Sequence, residues 1–157
     1  MKSKVALVTA VLLSATAAYA DGARQKADVI VPEYWQEFYN NWGFAPAVKT
    51  TDGTVYVSGV IAFLEGEGTY EERYERGVHT ALGHIKEIME HAGGSMDDVV
   101  EMTSFHMDLV HQVEVLSKVR QEVFAKPHGA WTAVGTTALA LPGGMTEIKV
   151  TAKVAKD

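Results

Sequence analysis

Apolar residues between Tyr70 and His91 recur every three or four positions. Tyr74, Val78, Ala81, Leu82, Ile85, Ile88 and Met89 fall on one stripe, and Glu71, Glu72, Arg73, Arg76, Lys86, Glu87 and Glu90 lie off it. A period near 3.6 with a charged back predicts an amphipathic helix, and Gly93-Gly94 stops it. The pattern then changes to alternation. From Val99 to Leu109, Glu101, Thr103, Phe105 and Met107 share one side, and Met102, Ser104 and His106 the other, which predicts a strand. A second helix is predicted from about His111 to Ala125, with Val115, Leu116, Val119 and Val123 as its apolar stripe and Pro127 at its end. Two more strands follow, Trp131 to Leu141 and Met145 to Ala155, joined by Pro142-Gly143-Gly144. The last alternates strictly: Ile148, Val150, Ala152 and Val154 against Glu147, Lys149, Thr151 and Lys153.

Upstream, Thr51-Asp52-Gly53-Thr54 reads as a tight turn leading into the β-branched strand Val55 to Ile61. Ser58-Gly59 interrupts that strand, and a glycine there points to a bulge or a close backbone approach. Pro32 to Asn41 is a candidate helical segment, with Pro32 suited to its first turn. Six aromatic residues crowd this region: Tyr34, Trp35, Phe38, Tyr39, Trp42 and Phe44. Aromatics at helical spacing are more often core, so the segment is expected to pack on the domain body. The alternative is a lid or wall of a ligand cleft. The order strand, helix, strand, helix, strand, strand predicts an α+β fold, a mixed β-sheet with two helices packed on one face. An extra strand before residue 55 fits the same plan.

The first twenty residues form a separate object. Lys2 and Lys4 precede an apolar run from Val5 to Leu13, and Ala18-Tyr19-Ala20 forms an A-x-A cleavage pattern before Asp21. These regions in this order predict a signal peptide at 1–20 and a mature domain at 21–157, in a periplasmic location. The run is too short to span a membrane, and no later stretch approaches ~18 apolar residues.

Composition narrows the chemistry. The chain has 157 residues, 47% of them hydrophobic, which suits one packed domain. It has no cysteine, which excludes disulfides, thiolate nucleophiles and Cys-ligated metals. Its formal charge of −6 becomes −8 once Lys2 and Lys4 are removed. Nucleic acid is therefore a poor partner, as is a membrane surface after cleavage. His79 and His84 are five apart, ~140° around a helix, and His84 and His91 lie ~10.5 Å apart along one. Neither pair can chelate one metal, so no metal site is expected, and His106 reads as a lone buried histidine in a strand. The glycines at 66–68, 93–94 and 143–144 match neither a P-loop nor a dinucleotide fingerprint. Asp97-Asp98 is better explained as a polar turn than as a carboxylate pair. Ser58 has no evident base beside it.

Several strings share an order and a spacing. VYVSG at 55–59, ALGHIKEIMEHAG at 81–93, DDVVEMTSFHMDL at 97–109, WTAVGTTALALP at 131–142 and TEIKVTA at 146–152 resemble the RidA/YjgF family over residues 45–154. The resemblance implies a chorismate-mutase-like fold and a homotrimer with clefts between neighbouring subunits. It also implies hydrolysis of reactive enamines and imines to keto acids and ammonia, with no cofactor.

Carried over position by position, the resemblance gives Ser58 and Glu147 as catalytic candidates, Glu147 to position or activate water. Gly59, Trp131, Ser117, Ala47 and Phe44 are ligand-binding candidates. Three of these depart from the family pattern. Trp131 stands where the carboxylate-clamping arginine is expected, Ala47 where a tyrosine is, and Ser117 where an asparagine is. Replacing Arg by Trp removes a permanently charged, bidentate partner. The expected function is therefore binding of a small neutral or aromatic ligand without the standard deaminase activity. A divergent hydrolase using Glu147 and water is the alternative. The endoribonuclease and translation-inhibitor labels attached to the family are disfavoured by the charge and the expected export.

Overall fold

The computed structural model describes residues 22–155, so the expected signal segment lies outside them. The elements run β1 (Asp28–Ile30), a 3-10 turn at Glu33–Trp35, α1 (Gln36–Trp42), β2 (Ala47–Lys49), β3 (Thr54–Val57), β4 (Val60–Ala62) and α2 (Tyr70–His91). A 3-10 turn at Met96–Asp98, β5 (Val99–His106), α3 (Leu109–Val123), β6 (Ala130–Gly135) and β7 (Thr146–Lys153) complete the chain. All seven strands join one sheet in the order β1-β2-β3-β7-β5-β6, with β4 also paired to β7. Only β5 and β6 are parallel. The sheet is therefore mixed, as the pattern predicts, and the chain is an α+β protein.

Helix α2 starts where a capping box forms: Thr69 accepts from the Glu72 amide while the Glu72 carboxylate accepts from the Thr69 amide. Its stripe of Tyr74, Val78, Ala81, Leu82, Ile85, Ile88 and Met89 is buried. It packs on the sheet face made by Val55, Val57, Val60, Ala62, Met102, Ile148 and Val150, and Leu116 and Val119 of α3 complete the core. The turn before β5 is the polar one expected, with Ser95 and Asp98 capping each other.

Four expectations are corrected. The strand placed at Trp131 to Leu141 ends at Gly135. Its parallel partner ends at His106, which pairs with Gly135; the Thr136 amide still reaches the His106 carbonyl at 2.8 Å, and the chain then turns away. The β5 strand likewise stops at His106, three residues short of Leu109. Helix α3 begins at Leu109, two residues earlier than His111, with Gln112 Oε1 accepting the Asp108 amide at 3.2 Å. Two strands, β1 and β2, precede residue 54, where one was expected.

Candidate functional site

The Ser58-Gly59 interruption is a change of strand geometry. Tyr56 of β3 pairs with Thr151, and Val60 of β4 pairs with Ile148. One strand thus uses an extra residue between the same two rungs, the signature of a bulge. Glu147, opposite Ile61, lies directly over this point. A Cβ on Gly59 would sit 1.9 Å from Glu147 Oε1 and 2.7 Å from its Cγ. Glycine here lets the backbone approach a carboxylate, which is the close approach the sequence anticipates. The Ser58 hydroxyl donates to the Ala45 carbonyl at 2.7 Å. Its proton is already placed, and no base accepts it.

These residues border a cavity of about 440 Å³. Strand β4 has a strand neighbour, β7, on one side only, and the aromatic segment completes the cavity near it. Tyr34, Trp35, Phe38, Trp42 and Phe44 line it together with Phe63 and Leu141. The segment is thus a cleft wall, the alternative to packing alone, and it packs as well: Trp35 is buried in the core, and Phe38 and Phe44 lie against it. Its rings support one another, with Trp35 and Phe38 centroids 5.5 Å apart and Phe38 and Phe44 6.4 Å apart. His84 of α2 stacks on Tyr34 at 4.5 Å. The Trp35 indole N–H is buried and finds no acceptor among the described residues.

Three polar residues that the sequence reading did not place there join the site. Glu65, Thr80 and His84 line the same cavity, and the Thr80 hydroxyl donates to Glu65 Oε2 at 2.8 Å. Thr80 and His84 do carry a signal, being four apart on the back of α2. Glu65 carries none, because it sits in an irregular loop.

Of the predicted site residues, Phe44, Ser58, Gly59 and Glu147 come together. The other three do not join them within one chain. Ala47 is fully buried in β2. Ser117 lies on α3 in a polar groove with Glu75 and Lys118. Trp131 pairs with Met102 on the helix-covered side of the sheet, whereas Glu147 pairs with Phe105 on the opposite side.

Trp131 instead has two roles in packing. Its ring lies under the Arg120 guanidinium at 5.4 Å, and Arg120 also reaches the Gly129 carbonyl and the face of Phe124. A positive charge therefore sits beside Trp131, a feature the sequence did not reveal. The Trp131 indole N–H also donates to Ser104 Oγ at 2.9 Å. From there a buried chain runs Ser104, His106 Nε2 (2.8 Å), His106 Nδ1, Thr146 Oγ1 (3.2 Å) and Gln112 Oε1 (3.2 Å). Tyr74 joins Thr146 at 2.6 Å. Burial pushes the His106 imidazole below its ordinary value and the Tyr74 phenol above it.

Among the described residues no three His, Asp or Glu side chains gather to hold a metal ion. No helix there is long and apolar enough to cross a membrane.

Comparison with known proteins agrees with the motifs. The profile of the family described as Endoribonuclease L-PSP matches residues 36–154. The RutC family protein YjgH of Escherichia coli is 34% identical over 126 residues, covering 80% of this chain and 93% of that protein. A solved structure of protein YjgH superposes with a TM-score of 0.70 at 32% identity, over 84% of this chain and 99% of that one. A Mycobacterium tuberculosis member of the YjgF/YER057c/UK114 family gives 0.66 at 26% identity, over 82% and 99%.

Proposed function

Since the chain belongs to the RidA/YjgF family, described also as Endoribonuclease L-PSP, we propose that it is a divergent member that binds a small aromatic or apolar molecule lacking a carboxylate. One observation carries this reading. The cavity that holds Ser58, Gly59 and Glu147 is walled by aromatic rings, and no Lys or Arg lines it. The guanidinium nearest Trp131 belongs to Arg120, which is buried and held by two ring faces and the Gly129 carbonyl.

The same observation argues against the standard imino-acid deaminase reaction. An imino acid brings a carboxylate, and desolvating it without a charged partner costs several kcal/mol. Each ~1.4 kcal/mol is tenfold in rate. Coupling a pyridoxal-phosphate dehydratase to keto-acid release tests this. The protein should add little or nothing to the uncatalysed rate. Acceleration matching an arginine-containing relative would overturn the reading.

The second reading is a hydrolase for a substrate without a carboxylate. Glu147 favours it, because its carboxylate has no hydrogen-bond partner among the described residues and is open to a water. Glu147→Gln would then abolish turnover even at saturating substrate. Under either reading the cleft is completed in a homotrimer, and the leader at 1–20 directs the protein to the periplasm.

A further inference from the structure

Within one chain the lining of the cleft carries fixed charge of one sign only. Two carboxylates, Glu65 and Glu147, line it, and neither faces a cation there. Arg76 is nearby but donates to the main-chain carbonyls of Glu65 and Glu67, leaving both Glu65 carboxylate oxygens to other partners. Lys149 shares the Glu147 side of β7 but is exposed and does not line the cavity. His84 is the single lining group able to become positive, and it lies stacked on Tyr34.

The walls have the same preference. Aromatic faces present the negative side of a quadrupole. Trp35, Phe38 and Phe44 form a linked set of rings in this wall, with neighbouring centroids 5.5 and 6.4 Å apart, and Tyr34 joins them with one face covered by His84.

From this we infer that the cleft selects a ligand with a cationic nitrogen head, an ammonium or a protonated imine, on an apolar body without a carboxylate. The inference rests on the reading of the cleft as a ligand site and specifies the charge of its ligand. An anion would meet two carboxylates in an aromatic-walled site while losing its water. A neutral ligand would displace solvent from Glu147 and leave that carboxylate unpaired. A cation pairs with the lining carboxylates Glu147 and Glu65, and gains cation–π attraction from any ring face it reaches. The volume of about 440 Å³ lies within the range of small-molecule sites and exceeds what one ring with a two-carbon arm needs.

Three probes that share a phenylethyl body isolate the head group: 2-phenylethylammonium, 2-phenylethanol and 3-phenylpropionate. Calorimetry on the whole mature protein near neutral pH should rank the ammonium roughly tenfold or more ahead of the alcohol, with the propionate weakest. Sodium chloride should weaken the ammonium and leave the alcohol unmoved. In Glu65→Gln/Glu147→Gln the ammonium should fall to the affinity of the alcohol. The salt series on the wild type stands as the second readout if that variant folds poorly. Alcohol or propionate binding as tightly as the ammonium would overturn the cationic head while leaving the aromatic cleft as a binding site. Binding by none of the three would overturn both.

Discussion

Donors along the buried chain through His106 all point one way. The Trp131 N–H donates to Ser104, whose hydroxyl donates to His106 Nε2. His106 Nδ1 then donates to Thr146, and Thr146 donates to Gln112 Oε1. This assignment gives each donor along the chain one acceptor, with a neutral imidazole protonated on Nδ1. A proton on Nε2 would make Ser104 Oγ accept twice, from His106 and from Trp131, and leave the Ser104 proton without an acceptor along this buried chain. Burial accordingly lowers the folded-state value of His106 below that of an unfolded histidine. Stability is then complete above about pH 6.5 and is lost as pH falls through the folded value, because the unfolded chain takes up the proton first. Urea midpoints should hold above about pH 6.5 and decline as the pH falls below it. His106→Gln should be less stable at neutral pH but decline less. Asp52 and Glu72 are held below the ordinary carboxylate range by hydrogen bonds and act only at lower pH. An equal decline in the variant would move the effect off His106.

Helix α2 comes very close to the main chain just past β4 at one small residue, Gly77. A Cβ on Gly77 would lie 1.7 Å from the Phe63 carbonyl oxygen, a main-chain atom that cannot rotate aside. Gly83, on the same helix, has nothing within 4 Å. On propensity alone both Gly→Ala changes would stabilise by up to about 1 kcal/mol. Gly83→Ala should do so. Gly77→Ala should instead destabilise by about 1–3 kcal/mol, as overpacking does. Denaturant titration of the two variants checks this. A gain at Gly77 would show that the approach of Phe63, which also lines the cleft, has slack.

At the scale of the whole molecule, α2 and α3 cover one face of the sheet and leave the other open. Tyr56 on β3 and Val134 on β6 are exposed large apolar residues on that open face, and a chain without cysteine has no disulfide to compensate. A second and third copy of the chain would supply the cover. Light scattering should therefore give three times the protomer mass. A monomer at micromolar concentration would leave Trp131 and Ser117 with no route to the Glu147 cleft. Export is tested by intact mass from a Gram-negative host, where the chain should start at Asp21. An uncleaved product in cells with normal export would remove the periplasmic assignment.

Periodicity sufficed for the long elements. The stripe of α2 and the strict alternation of β7 each bury one face, and burying that face leaves one helix phase and one strand phase. Ser58-Gly59 was likewise legible, since a glycine inside a β-branched run signals a bulge or a close backbone approach. Pairing was not legible. Residues 136–141 look as strand-like as 131–135, but β5 ends at His106 and gives them no partner. The site divides the same way. Glu147 and Ser58 come from motifs, while Glu65 and His84 join them only because the aromatic segment and α2 converge beside β4. Trp131 shows the limit: sequence places it by position, but the parity of the β5–β6 and β5–β7 registers sets it on the face opposite Glu147. Local pattern decides which face of an element is apolar. Long-range register decides which faces meet, and that is a property of the assembled sheet rather than of any segment within it.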